Sequence, residues 1–362
     1  MKNNLKVIFV IIILFATSIE ANSLLKHPEF IDISDKLPEY GCNKNIQGHP
    51  IGGGKGYSRI VRTGTFIVEN TLDFLEAIKN AEYGDTIFIN QKAEIDLTDN
   101  IKIAIPDGIT IASNRGYKNS PGALLYCTDI STSPMLYAGN NVRITGLRIM
   151  GPDPLMRTLE MFVIRSQGKR YDTIPYSVGI YTNNDSLEVD NCELFNWSRS
   201  AIYFKNGGNL GYVHNNYFNH NQRSGLGYGI EIDVGDAIIE SNLFDWNRHC
   251  ISGLGKKGTS YEAYNNLVLE NANGHSFDMH GGTDRGDNSD IAGDIILIYN
   301  NTFGADHVYA VMIRGIPQVE CCIYKNIFAQ DNVSKAVIQM NQQGNLTVKN
   351  NKFTDSLLYH KQ

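Results

Sequence analysis

An asparagine returns about every 25 residues through the second half of this chain. Each copy lies three residues after one apolar residue and two residues before another, as in the stretch from Val213 to Phe218. The repeated positions are Asn216, Asn242, Asn266, Asn301, Asn326 and Asn351, so that successive differences are 26, 24, 35, 25 and 25. A period this long and regular predicts stacked structural units, each of which buries its apolar face on the next.

Two short strands are recognisable in each repeat. One precedes the asparagine, and the other is typified by Ile230-Glu231-Ile232-Asp233, whose alternation points the first and third residues inward. Parallel strands joined without crossover helices at this period predict a parallel β-helix. We expect the asparagines to stack as a ladder in a turn, where this residue tolerates left-handed backbone geometry.

The chain divides into three parts. Residues 1–21 have a basic start and a short apolar run, which predicts a cleaved secretory signal peptide. Residues 22–50 are polar and irregular, and residues 51–355 form a single all-β domain with a short N-terminal helical cap. The cap is predicted over residues 71–81, where apolar residues have helical spacing.

Composition narrows the possible partners. The formal net charge is −6, whereas nucleic-acid binding needs a broad basic surface. No stretch beyond the signal peptide predicts stable membrane insertion. We expect a secreted monomer, extracellular or periplasmic, in which the six cysteines are free to form disulfides whose pairing the sequence does not choose.

A family resemblance rests on six segments in the first half of the chain. The stretches that carry it are Gly52–Gly56, Thr71–Leu75, Asp85–Ile89, Ile95–Leu97, Ile109–Asn114 and Asn141–Ile149. They resemble the pectate-lyase-like superfamily, over most of residues 50–353, and the resemblance implies a right-handed parallel β-helix in a secreted, polysaccharide-acting protein. Pectate lyases use an arginine base in an Arg-x-Pro-x-x-Arg pattern. The segment Arg314–Glu320 does not match that pattern, so the arginine base is not carried over.

Aligning the second strand of each repeat gathers polar residues into two outward columns. The first column contains Tyr181, Tyr203, Glu231, Ser252, Asp278 and Met312, and the second contains Lys205, Asp233, Leu254, His280 and Arg314. Neighbouring rungs are about 4.8 Å apart, so Glu231 and Asp278 are expected roughly 10 Å apart. A solvent-facing sheet needs no such mixture of charges for its stability.

A second cluster is predicted beside these columns. Counting seven residues past successive asparagines aligns Arg223 with His249, while Arg248 adjoins His249 and His275 precedes the strand of Asp278. Two insertions, Gly281–Asp290 and Gly151–Pro175, are expected to border the same face, because loops on a rigid scaffold often carry functional groups.

These residue types suit elimination in a uronic-acid chain. A base must remove the proton at C5, and a cation must neutralise the carboxylate beside it. Either His249 or His280 is the expected base, with the catalytic set comprising Arg248, His249, Asp278 and His280. The substrate-binding set comprises Arg223, Lys205, His275, Arg314 and Glu231. A Ca²⁺ ion is a further expectation, with Glu231, Asp233 and Asp278 as its oxygen ligands.

The leading interpretation is a secreted polysaccharide lyase that cleaves an acidic glycan. A glycoside hydrolase would use two of Glu231, Asp233 and Asp278 as its acid and base, without needing the histidines. A C5-epimerase would share the first step of the lyase. A non-catalytic glycan-binding surface protein would use the same face without chemistry.

Overall fold

The computed structural model describes residues 34–46, 48–339 and 344–354, and the predicted signal peptide over residues 1–21 lies outside them. The chain is a right-handed parallel β-helix, which confirms the predicted fold. Each full rung contributes one strand to each of three parallel sheets.

The first sheet has eleven strands, which precede the repeated asparagines: Phe66–Val68, Thr86–Ile89, Thr110–Ala112, Arg143–Thr145, Glu188–Asp190, Gly208–His214, Gly235–Glu240, Thr259–Tyr264, Ile295–Tyr299, Glu320–Tyr324 and Leu346–Lys349. The second sheet has ten: Glu94–Asp96, Leu124–Tyr126, Arg148–Met150, Glu193–Phe195, Tyr217–Asn219, Leu243–Asp245, Leu267–Val268, Thr302–Phe303, Ile327–Phe328 and Lys352–Phe353. The third has nine: Ile103–Ile105, Leu136–Ala138, Val178–Thr182, Ser200–Phe204, Tyr228–Ile232, His249–Gly253, Phe277–Met279, Val311–Ile313 and Val337–Gln339.

The expectation of two strands per rung is therefore wrong, because it missed the second sheet. Those strands are only two or three residues long and directly follow the asparagine turn, so they are too short to show an alternating pattern. Outside the three sheets, Asn45–Ile46 and His49–Pro50 pair as a small antiparallel hairpin.

The predicted helical cap is present as Thr71–Asn80, and the side chain of Asn70 caps it by accepting from the Asp73 N–H. The helix buries Phe74, Ala77 and Ile78 against the first rungs.

The described chain also contains helices that the sequence did not predict. They are the α-helices Thr158–Ser166, Gly282–Arg285 and Val333–Ala336, and the 3-10 turns Ser34–Lys36, Tyr117–Asn119 and Tyr171–Thr173. No helix in the described ranges has the length and apolar character needed to span a membrane.

The repeated asparagines form the predicted ladder inside the turn between the first and second sheets. The Oδ1 atom of Asn266 accepts from both the backbone N–H and the side-chain amide of Asn242, at 2.9 and 3.1 Å. The Asn266 amide in turn donates to the Ile239 carbonyl and to Asn301, at 2.9 and 3.0 Å. The pattern repeats from Asn216 to Asn351. Each rung is thus fixed to the next by side-chain as well as main-chain bonds.

The left-handed residue is not the ladder asparagine but the residue before it. Asn215, Ser241 and Asn265 have φ between 52° and 53°, and Lys325 has φ 55°. The sharp turn is made there, which leaves the following asparagine free to point its amide inward along the stack.

The N-terminal segment lies across the outward face of the first sheet. Near one end of this segment, the Gly41 N–H donates to the Lys325 carbonyl. Near the other end, the Gly54 N–H donates to the side chain of Asn191. Beneath it is a separate apolar cluster that includes Ile46, Tyr212, Ile238, Tyr264, Leu297 and Tyr299. This face of the helix is therefore occupied by the protein's own chain.

We predict that Asn266→Ala lowers the free energy of unfolding by about 2–4 kcal/mol, because it leaves buried backbone groups of Ile239 and Asn242 without partners. Chemical denaturation measures the change. Asn80→Ala, at the exposed end of the first helix, is the control and is expected to change stability by less than about 0.5 kcal/mol. Equal effects of the two substitutions would contradict the role of the ladder.

The contact between the N-terminal segment and the first sheet is predicted to weaken in acid. Burial alone would raise the pKa of Asp190, but the adjacent Arg143 outweighs it and lowers the pKa to about 2. A carboxyl whose pKa is depressed on folding stabilises the fold above its ordinary pKa and loses that contribution as pH falls. Between about pH 4 and pH 2 the wild type should therefore lose stability more steeply than Asp190→Asn. Denaturation curves with the same pH slope for both proteins would refute this.

Candidate functional site

The outward face of the third sheet carries the predicted polar columns. Strand pairing places Tyr203 beside Glu231, Glu231 beside Ser252, and Ser252 beside Asp278. The strand pairing therefore confirms the predicted alignment of the first column. It also confirms that Glu231 and Asp278 are two rungs apart.

Asp278 is the centre of a group that we call the histidine cluster, made of His249, His275, Asp278, His280 and Arg314. The side chain of Asp278 is fully buried. Arg314 donates to both of its oxygens, from Nε at 2.9 Å and from Nη2 at 2.8 Å. His280 Nε2 lies 2.9 Å from Oδ2. Burial would raise the pKa of Asp278, but His280 and Arg314 outweigh it and hold the pKa well below its usual range.

The other two histidines each have one ring nitrogen hydrogen-bonded within the protein. His249 is fully buried, and its Nδ1 donates to the His275 carbonyl. Its Nε2 therefore carries a lone pair, 3.7 Å from Asp278 Oδ2. His275 Nε2 accepts from Arg314 at 2.7 Å. Burial lowers the pKa of His249 well below its usual value and that of His275 to about 4, so both rings are neutral.

The insertion after His280 adds a residue that the sequence did not single out. Asp284, in the helix Gly282–Arg285, accepts from Arg314 Nη1 at 3.1 Å and lies 3.9 Å from His280 Nδ1. Arg285 fixes the insertion by donating to the carbonyls of Leu254 and Ile291. The available signal was a carboxylate four residues after His280, at helical spacing.

Glu231 belongs to a second group on the same column. It accepts from Arg199 Nε at 3.0 Å, from Arg199 Nη2 at 2.8 Å, and from the Ser200 hydroxyl at 2.6 Å. The guanidinium of Arg199 lies between the rings of Tyr176 and Tyr203, 4.9 and 4.8 Å from their centroids. Glu231 thus holds an arginine in place, and both of its oxygens are used.

The three carboxylates expected to bind Ca²⁺ do not converge. Glu231 is paired with Arg199, Asp233 with Lys256 at 3.0 Å, and Asp278 with Arg314. The rung of Ser252 separates Glu231 from Asp278. Within the described chain these oxygens do not form a shared ligand set, because each already neutralises a different cation.

A second group of potential metal ligands is closer together, but an arginine already contacts two of its members. Atoms of His249, His275 and Asp278 lie within 4.8 Å of one another, as metal ligands do. The Arg314 guanidinium, however, contacts both Asp278 and His275, so a dication would have to displace it. Glu188, Asp190 and His214 form a similar group on the first sheet, where Arg59 and Arg143 take the same role.

The predicted alignment of Arg223 with His249 is wrong, because strand pairing places Tyr228 beside His249. The turn into the third sheet is longer than the count of seven residues assumed. Arg223 is buried, with Nε 3.3 Å from Asp153 and Nη1 donating to the Pro175 carbonyl. It fastens the insertion over 151–175 to the helix and is not part of the open face.

Two basic side chains at the third sheet, those of Arg248 and Lys205, are not paired with a carboxylate in the part of the chain that the structure describes. Arg248 donates to the Leu226 carbonyl at 3.2 Å and lies 5.9 Å from the Tyr228 ring. Lys205 Nζ lies 5.7 Å from the Tyr203 ring. Both side chains are half-buried. In an acidic protein, such cations favour an anionic ligand.

A cavity of about 650 Å³ lies elsewhere, beside the start of the second sheet. It is lined by Gln91, Lys92, Glu94, Asn114, Tyr117, Lys118, Asn119, Ser120, Pro121 and Arg148. Its lysines and its single carboxylate are exposed, and its lining offers no imidazole. The histidine cluster therefore lies outside this cavity, on the outward face of the third sheet.

Comparison with solved structures finds the same fold in the alginate lyase from Paenibacillus sp. str. FPU-7. The TM-score is 0.57 and the identity 17%, over 80% of this chain and 94% of that chain. The catalytic unit of the GH87 α-1,3-glucanase from Streptomyces thermodiastaticus strain HF3-3 matches at a TM-score of 0.47 and 12% identity, over 88% of this chain and 66% of that one. No protein-family model and no curated protein sequence matches the chain. At 17% identity, the likeness to the alginate lyase shows the β-helix fold alone.

The histidine cluster is predicted to respond unequally to loss of its two carboxylates. Asp278→Asn should lower the free energy of unfolding by about 3 kcal/mol or more, because it leaves the Arg314 charge without its buried partner. Asp284→Asn removes a partly exposed partner of the same arginine and should cost less than about 1 kcal/mol. Denaturation of the two variants measures the difference. A larger loss in Asp284→Asn would contradict the assignment of Asp278 as the centre.

Proposed function

We propose that the protein is a secreted polysaccharide lyase that cleaves an acidic, uronate-containing glycan by β-elimination. The observation that carries the proposal is His280, a partly exposed imidazole held against the buried carboxylate of Asp278. It stands on a face that also presents cations without carboxylate partners. An alginate lyase with a similar fold is consistent with this activity.

His280 is the proposed base, in preference to His249. His249 is buried, and the Nε2 of His275 is taken by Arg314, whereas the side chain of His280 is 18% exposed. Its Nε2 faces Asp278, which leaves Nδ1 as the nitrogen that can accept a proton. Asp278 then stabilises the imidazolium that forms, as a buried carboxylate does beside a catalytic histidine.

The reaction balances with these groups. His280 takes the proton from C5 of the uronate, the C5 electron pair forms the C4–C5 double bond, and the bond from C4 to the glycosidic oxygen breaks. The departing oxygen takes up a proton from water, and the His280 imidazolium returns its proton to the solvent. The products are an unsaturated uronate at one new end and an ordinary sugar hydroxyl at the other.

Arg248 is the proposed partner of the uronate carboxylate. Arg314 was an equal candidate from the sequence, but its donors are directed at Asp278, Asp284 and His275. Within the described chain, the guanidinium of Arg248 makes one hydrogen bond, to the backbone carbonyl of Leu226. A guanidinium that pairs with the carboxylate acidifies the neighbouring C5 proton, which is the main electrostatic requirement of the step.

Hydrolysis is less well supported by the same geometry. A hydrolase needs one carboxylic acid that remains protonated near neutral pH. The pKa of Asp278 is held low, and both oxygens of Glu231 accept from Arg199. Epimerisation shares the proton abstraction and differs in its product, which retains the glycan chain length.

The elimination assay uses polygalacturonate, alginate and hyaluronan, with ultraviolet absorbance reporting the unsaturated product. His280→Ala should lower kcat on the cleaved polymer by about 10²–10⁴-fold, the usual contribution of a general base. His307→Ala, at a histidine 57% exposed outside the cluster, is the matched control and should retain full activity. A chelator should have no effect, because the predicted calcium ligands do not converge.

Other outcomes separate the alternatives. New reducing ends without absorbance would indicate hydrolysis, and a changed uronate composition without cleavage would indicate epimerisation. Binding without any change in the polymer would indicate a non-catalytic protein. Full activity of His280→Ala would remove this histidine from the mechanism.

A further inference from the structure

Three tyrosines continue the column of Glu231 and Asp278 toward the N-terminal end of the third sheet. Strand pairing places Tyr137 beside Tyr181 and Tyr181 beside Tyr203, and Tyr203 adjoins Glu231. Their ring centroids are 5.2 and 5.8 Å apart. We call these three residues the tyrosine row. It is one continuous aromatic strip in line with the histidine cluster.

The row is not explained by packing in the protein core. The inward positions beside it, Ile180 and Ile202, fill the interior, while the side chains of Tyr137 and Tyr181 remain partly exposed. Tyr203 is buried by its neighbours on the outer face, where Arg199 lies over its ring. The accessible part of the row is therefore formed by Tyr137 and Tyr181, and partly exposed aromatic rings on an outer face are a common feature of ligand-binding surfaces.

The charge beside the row matches an acidic chain. Arg199 forms an ion pair with Glu231. Lys205, in contrast, lies over the Tyr203 ring and pairs with no carboxylate in the described ranges. A ligand on the row would therefore meet ring faces together with one available ammonium group. That combination suits a sugar with an apolar C–H face and a carboxylate.

We propose that the tyrosine row and Lys205 bind the sugar residues on one side of the bond that is cleaved. This inference rests on the proposed lyase function and adds a requirement for a substrate several uronates long. Five rung steps of about 4.8 Å separate Tyr137 from Asp278, which is about 24 Å of surface. A glycan lying parallel to the helix axis would stack its sugar faces on the row while one uronate reaches His280.

Binding is measured first, by native affinity electrophoresis in gels that contain polygalacturonate, alginate or hyaluronan. The His280→Ala protein is used so that the polymer stays intact. Adding Tyr181→Ala or Lys205→Ala should weaken the retardation about tenfold in apparent affinity, as expected for a lost aromatic or ionic contact. Tyr181→Phe keeps the ring and should retain binding. Tyr83→Ala, at a tyrosine 72% exposed elsewhere, is the control and should change nothing.

Kinetics on defined fragments then separate this inference from the proposed function. With an otherwise wild-type chain, Tyr137→Ala and Tyr181→Ala should lower kcat/KM on a hexasaccharide about tenfold and leave a trisaccharide unchanged. Elimination that is equally fast in all variants on both fragments would overturn the row while leaving the lyase intact. Retardation that depends on Tyr181 without any elimination would overturn the lyase and retain the row. Retardation that is absent in all three gels, or independent of Tyr181 and Lys205, would overturn the row.

Discussion

The stacking of rungs in a fixed register is the constraint on which this structure depends. The asparagine ladder contributes to it at one turn, where each Oδ1 receives two N–H groups from the preceding rung. A slip of one residue would break these bonds and would turn the inward residues of every strand outward. Because the register holds, residues such as Glu231 and Asp278, which are 47 positions apart in sequence, lie two rungs apart on one face.

The same register explains why the histidine cluster is rigid. A buried carboxylate is costly unless it is paired, and Asp278 obtains its partners from the next rung, in Arg314, and from its own strand, in His280. The insertion after His280 supplies Asp284 on the solvent side of Arg314. The N-terminal segment covers the first sheet, whereas the outer face of the third sheet carries the histidine cluster and the tyrosine row.

The sequence predicted the repeat, the helical cap and the outward columns, because these depend on spacing that the strands preserve. It missed the second sheet, whose strands are too short for an alternating pattern, and the helix Thr158–Ser166 inside an insertion. It also misaligned Arg223 with His249, because a fixed count of residues cannot follow a turn whose length changes between rungs. Strand registers are readable from sequence, whereas turn lengths are not.

The ionic partners were the least predictable part of the site. Arg314 and Arg248 are similar residues in the sequence, but Asp278, Asp284 and His275 all contact Arg314, whereas within the described ranges the Arg248 guanidinium hydrogen-bonds a backbone carbonyl and lies near the Tyr228 ring. The expected calcium ligands fail for the same reason. Which cation a carboxylate meets depends on side-chain directions across three rungs, and no local pattern encodes them.

The most direct test of the account is a crystal structure of the His280→Ala protein with an acidic oligosaccharide of the polymer that it binds. We predict sugar density parallel to the helix axis on the outward face of the third sheet, with a uronate carboxylate against Arg248. Density confined to the cavity lined by Lys92 and Lys118, or to any other face of the helix, would contradict it.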